Sequence, residues 1–168
     1  MKQTLLFLLA FWTFALLPAP TVRAQDEDHS PNSSGAEGFC AQFEVVTNAA
    51  PLSFKPLRGK VAGLDTWKGQ QALPGTTKCI VFGRRGDASY SCSTPTVRGD
   101  DRAQEVFDTL KVQVQKCLGS GWAANDYTAR HGEPSIAFWK DHAAYDVRVV
   151  LKSLEGENKE VMLTVSRP

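Results

Sequence analysis

The chain has 168 residues, 42% of them hydrophobic, with 19 Lys+Arg, 18 Asp+Glu and four cysteines. That length suffices for one domain with its own core. A formal charge of +1 supplies no field that would hold nucleic acid or an anionic bilayer, so those partner classes are set aside.

After Met-Lys-Gln-Thr comes a largely apolar run of thirteen residues, Leu5 to Leu17. It is too short to span a bilayer comfortably. Residues 18–24 end in Val22-Arg23-Ala24, a cleavage site of the A-x-A type. A basic start, an apolar centre and a small-residue cleavage site read as a signal peptide over 1–24, cut after Ala24. A retained anchor is the alternative. No cysteine closely follows the run, which argues against a lipoprotein anchor. No later stretch has the ~18 apolar residues of a spanning helix. The expectation is a secreted or periplasmic chain with no integral membrane segment after cleavage. Removing Lys2 and Arg23 leaves 17 basic against 18 acidic residues, a net of −1.

Residues 25–37, QDEDHSPNSSGAE, have almost nothing to bury and read as a disordered linker. Residues 38–168 then form a single disulfide-stabilised domain. Phe39, Cys40, Phe43, Val46 and Thr47 recur at helical spacing, predicting a helix over 37–49 that Pro51 ends. Residues 51–75 carry Phe54, Leu57, Val61, Leu64 and Trp67, but Gly59, Gly63 and Gly69 interrupt. Irregular chain with one short strand near 65–71 is expected, then a turn at Pro74-Gly75.

Two strands follow, at 77–83 and 87–94, and a connector from Pro95 to Asp100. Asp101 with Gln104 three residues on has the form of a capping box. Ala103, Phe107, Leu110, Val114 and Cys117 make one apolar stripe, predicting a helix over 102–118 with Gly119 as its left-handed stop. Four strands come after it, at 124–131, 134–139, 144–153 and 159–166.

Side-chain alternation sets an expected register. Closing a turn at Asp141-His142 puts Phe138 opposite Tyr145 and Ile136 opposite Val147. In the next hairpin Leu151 faces Val161, Val149 faces Leu163, Val147 faces Val165 and Lys152 faces Glu160, an opposite-charge pair. Ile136, Phe138, Tyr145, Val147, Val149, Leu151, Val161, Leu163 and Val165 then form a dry face. Ser135, Ala137, Trp139, Asp146, Arg148, Val150, Lys152, Met162 and Thr164 form a mixed one. No internal repeat is visible. The fold class is α+β: a curved antiparallel sheet with two amphipathic helices on one face and two disulfides. The element order is similar to that of bacterial secretion-chaperone-like folds, a likeness of arrangement that implies no function.

An even cysteine count in an exported chain reads as disulfides, and no close pair such as C-x2-C offers a metal site. With Arg85-Gly86 as the turn, Arg84 faces Asp87 in a hydrogen-bonded pair. Pairs alternate from there, so Cys79 faces Cys92 at a non-bonded site with Cα atoms about 4.5 Å apart, within disulfide range. By exclusion Cys40 pairs with Cys117. The rival pattern is Cys40–Cys92 with Cys79–Cys117.

Candidate sites are few. Arg85-Gly86-Asp87 and Arg98-Gly99-Asp100 spell an adhesive triplet, but turn chemistry accounts for both. His131 and His142 lack ligand spacing. Glu155 and Glu157 flank a turn glycine, and Ser120 in Gly-Ser-Gly lacks a strand–elbow–helix context. No catalytic, metal or cofactor signature emerges. Trp139, Arg148, Val150 and Met162 on the mixed face have the composition of a binding hot spot, with Trp67, Trp122 and Tyr127 as candidate neighbours. The opposing reading has Trp139 packed beneath residues 51–70. These features suggest an exported binding domain, an accessory or inhibitor-like factor acting on a protein partner. Alternatives are a hydrolase with an unrecognised site, or a carrier holding a small apolar ligand between helices and sheet.

Overall fold

The computed structural model describes residues 33–84 and 87–167, and the expected signal peptide lies outside them. Helix α1 (Ser33–Ala49) begins inside the stretch expected to be linker and ends where the helical spacing ends. Phe39, Phe43, Val46 and Ala49 supply its buried stripe. Two short 3-10 turns, Ala50–Leu52 and Lys55–Leu57, follow. They are joined through Ser53 and Phe54 at φ 54° and 55°. Phe54 is fully buried, so core packing holds this uncommon backbone in place.

The first four strands form a meander: β1 (Arg58–Gly63), β2 (Thr66–Gly69), β3 (Lys78–Arg84) and β4 (Asp87–Ser93). A two-residue strand, β5 (Val97–Arg98), leads into α2 (Asp100–Leu118). A second meander completes the chain: β6 (Ala123–Thr128), β7 (Pro134–Trp139), β8 (Asp146–Ser153) and β9 (Asn158–Ser166). All nine strands join one antiparallel sheet in the order β1-β2-β3-β4-β9-β8-β7-β6, with β5 on β9 beyond the end of β4. A helix followed by four strands thus occurs twice, and the two units meet through their last strands. The described residues are α+β with two helices and two disulfides, as the patterning requires.

The core lies between the helices and one face of the sheet. Ala103, Phe107, Leu110 and Val114 of α2 are buried, as are Val81, Tyr90, Val147, Val149, Val161, Leu163 and Val165 of the strands. The disulfides are Cys40–Cys117 and Cys79–Cys92, the first pattern derived from the sequence. Their Cα separations are 5.1 and 4.1 Å, the shorter one matching a narrow, non-bonded strand pair. Gly69 sits against that bridge. A Cβ there would come within 2.9 Å of Cys79 Cβ and also strike the Tyr90 phenol, so only glycine fits.

Several local expectations are corrected. Strand β1 was expected as irregular chain; it is an edge strand with two register shifts and almost no burial, so it carries no alternation to read. Strand β5 is too short for any periodicity. Helix α2 is capped not by Asp101 but by Gly99 at φ 87°, without a side-chain bond. Asp100 pairs with Lys159 at 2.7 Å, and Gln104 reaches forward to Asp108. Gly119 has φ 75° but ψ −175°, a positive-φ stop outside the left-handed helical region. The β8–β9 register holds at every expected pair. In β7–β8, however, Phe138 faces Val147 and Ile136 faces Val149, two residues from expectation. Tyr145 leaves the sheet and packs on Trp122, the two rings tilted with centroids 5.0 Å apart. A two-residue slip keeps every side chain on its own face, so hydrophobic alternation cannot detect it.

Candidate interaction face

Both helices pack on the inner side of the sheet, and strand alternation places a defined set of side chains on the other side. The pairings lay this outer face out in rows. One row reads Lys68, Ile80, Ser91, Thr164, Arg148, Ala137, Asn125. The next reads Lys78, Ser93, Met162, Val150, Ser135, Tyr127. On the opposite flank Thr66, Phe82, Ser89, Ser166 and Asp146 align.

The centre is therefore a band of small hydroxyls, in which Ser91 and Thr164 hydroxyls lie 2.9 Å apart. Larger groups stand to either side. Phe82 and Trp139 are 44% and 43% exposed, more than large aromatic side chains keep when something packs on them. Small residues between large ones leave a shallow floor with aromatic shoulders.

Trp139, Arg148, Val150 and Met162 all fall on this side. Val150 pairs with Met162, Arg148 pairs with Thr164 and Ala137, and Trp139 ends β7 two residues beyond Ala137. Residues 51–70 lie at the far end of the sheet from β7, so they do not cover Trp139. Arg148 lies 3.7 Å from Asp146 Oδ2, an ion pair half open to solvent. The other carboxylate oxygen, Oδ1, is buried with no hydrogen-bond partner among the described residues.

Of the candidate neighbours, Tyr127 shares the row of Val150 and Met162. Trp67 does not belong to this face. It pairs with Val81 on the core side, where its ring lies over Gly83 and under Arg58, whose guanidinium is 4.0 Å from the ring centroid. Trp122 is likewise taken up by Tyr145 against the core. The serine band and the Ile80–Phe82 shoulder were not singled out from the sequence. The alternation Ser89-x-Ser91-x-Ser93 against buried Ala88, Tyr90 and Cys92 was the signal that could have found them.

The remaining motifs do not converge. His131 and His142 sit in turns at opposite ends of β7, and among the described residues no three His, Cys, Asp or Glu side chains gather as a metal site. Glu157 pairs with Arg98 at 2.8 Å, and the second adhesive triplet is the entry to α2. Arg85 and Gly86 of the first lie outside the described residues. Ser120 is exposed just after α2.

Two tyrosines have raised pKa values. Burial pushes the Tyr90 phenol up to about 12, partly offset by its bond to the Gln71 carbonyl. Burial also raises Tyr145, against a bond to Thr47 that lowers it. Both belong to the inner side and serve packing.

Clefts on the helix side are surface features. One of about 520 Å³ runs between α2 and residues 74–76 and 94–97, lined by Val97, Val106 and Leu110 with Arg102, Glu105 and Gln113. Comparison with protein-family models, with curated proteins and with solved structures finds no match to this chain.

Proposed function

We propose that the chain is an exported, disulfide-stapled binding domain that takes up a protein partner on the outer face of its sheet, with no catalytic activity of its own. The observation that carries this reading is the uncovered face itself. Trp139, Arg148, Val150 and Met162 share it, with the half-open Arg148–Asp146 ion pair beside them. Aromatic and arginine side chains are enriched at the centres of protein interfaces. Export is supported by the leader-like residues 1–24 and by two disulfides, bonds that persist in oxidising compartments. In keeping with this, no described helix is long and apolar enough to cross a membrane.

The test is quantitative capture from secreted or envelope fractions with the protein immobilised, beside Arg148→Glu and Val150→Lys. A saturable partner held by the native protein and weakened at least about tenfold by each variant is expected, since interface-centre residues contribute ~2 kcal/mol or more. Capture of nothing saturable, or capture that survives both substitutions, ends the reading. A second reading, carriage of a small apolar ligand, draws on the 520 Å³ cleft, whose volume falls in the range of ligand sites. The cleft is a groove open to solvent beside the exposed Arg102–Glu105 pair, which fits that reading less well.

A further inference from the structure

The sheet has two free edges, and they are built differently. Strand β1 carries Lys60, Gly59, Gly63 and two register shifts, the devices by which natural sheets blunt an edge. Of these devices strand β6, AANDYT, has only a charged side chain, Asp126. It pairs with β7 over six residues without a shift, contains no Pro, Gly, Lys or Arg, and is exposed except at Tyr127. Its single charge, Asp126, is bonded to Lys111 at 2.7 Å.

Hydrogen-bond alternation fixes which backbone groups face outward. Ala129 N–H donates to Glu133 O at 2.9 Å, so that pair is of the bonded kind. Counting inward, Tyr127–Ser135, Asn125–Ala137 and Ala123–Trp139 are bonded to β7. Ala124, Asp126 and Thr128 therefore turn their N–H and C=O groups to the free edge. Thr128 faces Pro134, which has no N–H, as a non-bonded site allows.

We propose that β6 is a self-association edge: two copies of this chain pair antiparallel through β6 about a two-fold axis at Asn125, extending the sheet across the interface. Outward-facing residues must meet one another, which allows centres at Ala124, Asn125, Asp126 and Tyr127, and a centre at Tyr127 overlaps only residues 126–128 of each strand. Centring on Asp126 sets two carboxylates opposite each other, a destabilising pair. Centring on Ala124 pushes Tyr127 past the partner strand, opposite Gly121. Centring on Asn125 joins Ala124 of one copy to Asp126 of the other in bonded pairs. It also sets Tyr127 opposite Ala123, where the small residue leaves room for the ring beside the exposed Trp139. A strand contact of this length is small by the standards of stable dimers, so association belongs in the micromolar to millimolar range.

Sedimentation equilibrium over that range tests it. The expected result is a reversible dimer that Ala124→Pro weakens at least tenfold without lowering the melting temperature, because the N–H removed faces outward. Asn125→Asp, which brings two carboxylates together at the axis, is expected to do the same and stands in should the proline perturb folding. Asn125→Cys is expected to form a disulfide-linked dimer on oxidation, and Ser120→Cys is not. A monomer throughout, a dimer indifferent to these changes in β6, or equal cross-linking at both cysteines overturns the proposal. Asn125 shares the outer-face row of Arg148, whereas Ala124 is paired with buried Phe138 on the other side of the sheet, so Ala124→Pro is the variant in which partner capture by the outer face is read independently of association.

Discussion

Tyr90 shows how much one side chain can carry. It is 1% exposed, lies 6.0 Å from the Phe54 ring, and its hydroxyl donates to Gln71 O while accepting the Gln71 N–H at 3.1 Å. The hydroxyl thus fastens the chain after β2 to the middle of β4, over a sheet position that Gly69 leaves open. Burial raises the phenol from its ordinary value near 10 to about 12, so the folded state favours the protonated form. That contribution is whole below pH ~10 and is lost as pH climbs through about 12. Denaturant midpoints should fall across this alkaline window. Tyr90→Phe should cost ~1–2 kcal/mol at neutral pH, by the loss of two buried hydrogen bonds, and should show a shallower alkaline decline. Tyr145 titrates in the same direction and leaves a residual slope in the variant.

At the scale of elements, the two disulfides do different work. Cys79–Cys92 closes 13 residues within one hairpin, whereas Cys40–Cys117 closes 77 and ties α1 to the end of α2. Chain entropy assigns about 3 kcal/mol to the short loop and about 4.5 to the long one. Cys40→Ala with Cys117→Ala should therefore lower the unfolding free energy more than Cys79→Ala with Cys92→Ala; equal losses in urea titrations would contradict this. Both bridges were legible in the sequence, because a turn at Arg85-Gly86 sets Cys79 against Cys92. The β8–β9 register was legible too, since Lys152 and Glu160 supplement the apolar pairing. What escaped had physical reasons. Edge strand β1 buries nearly nothing, β5 has two residues, and the shift in β7–β8 preserves the faces that patterning reports. Four members of the candidate face were readable from alternation alone. Its far shoulder, Ile80 and Phe82, depends on β4 pairing with β9, a contact between residues distant in the chain that no local pattern encodes.

At the scale of the whole molecule, the described residues form two helix-plus-four-strand units sharing one sheet, with β5 added on β9, a repetition of elements that the residues themselves do not display. Sheet continuity rests on the β4–β9 seam, where Tyr90 faces Val165 and Cys92 faces Leu163. A chain ended after Ser153 would keep both helices and eight of the nine strands yet lose the strand that joins the halves. It should show no cooperative thermal transition, and a sharp one would show that the first unit is stable alone. The position of β9 also sets an order in time. It follows every other described strand in the chain but occupies the middle of the sheet, bonded to β4, β5 and β8. During synthesis from the N-terminus the two meanders are made well before the strand that unites them. The sheet cannot close until residues 158–166 have left the ribosome, and long-range pairing of this kind is slow. On the proposed export route, that delay keeps the chain threadable until residues 158–166 have been made.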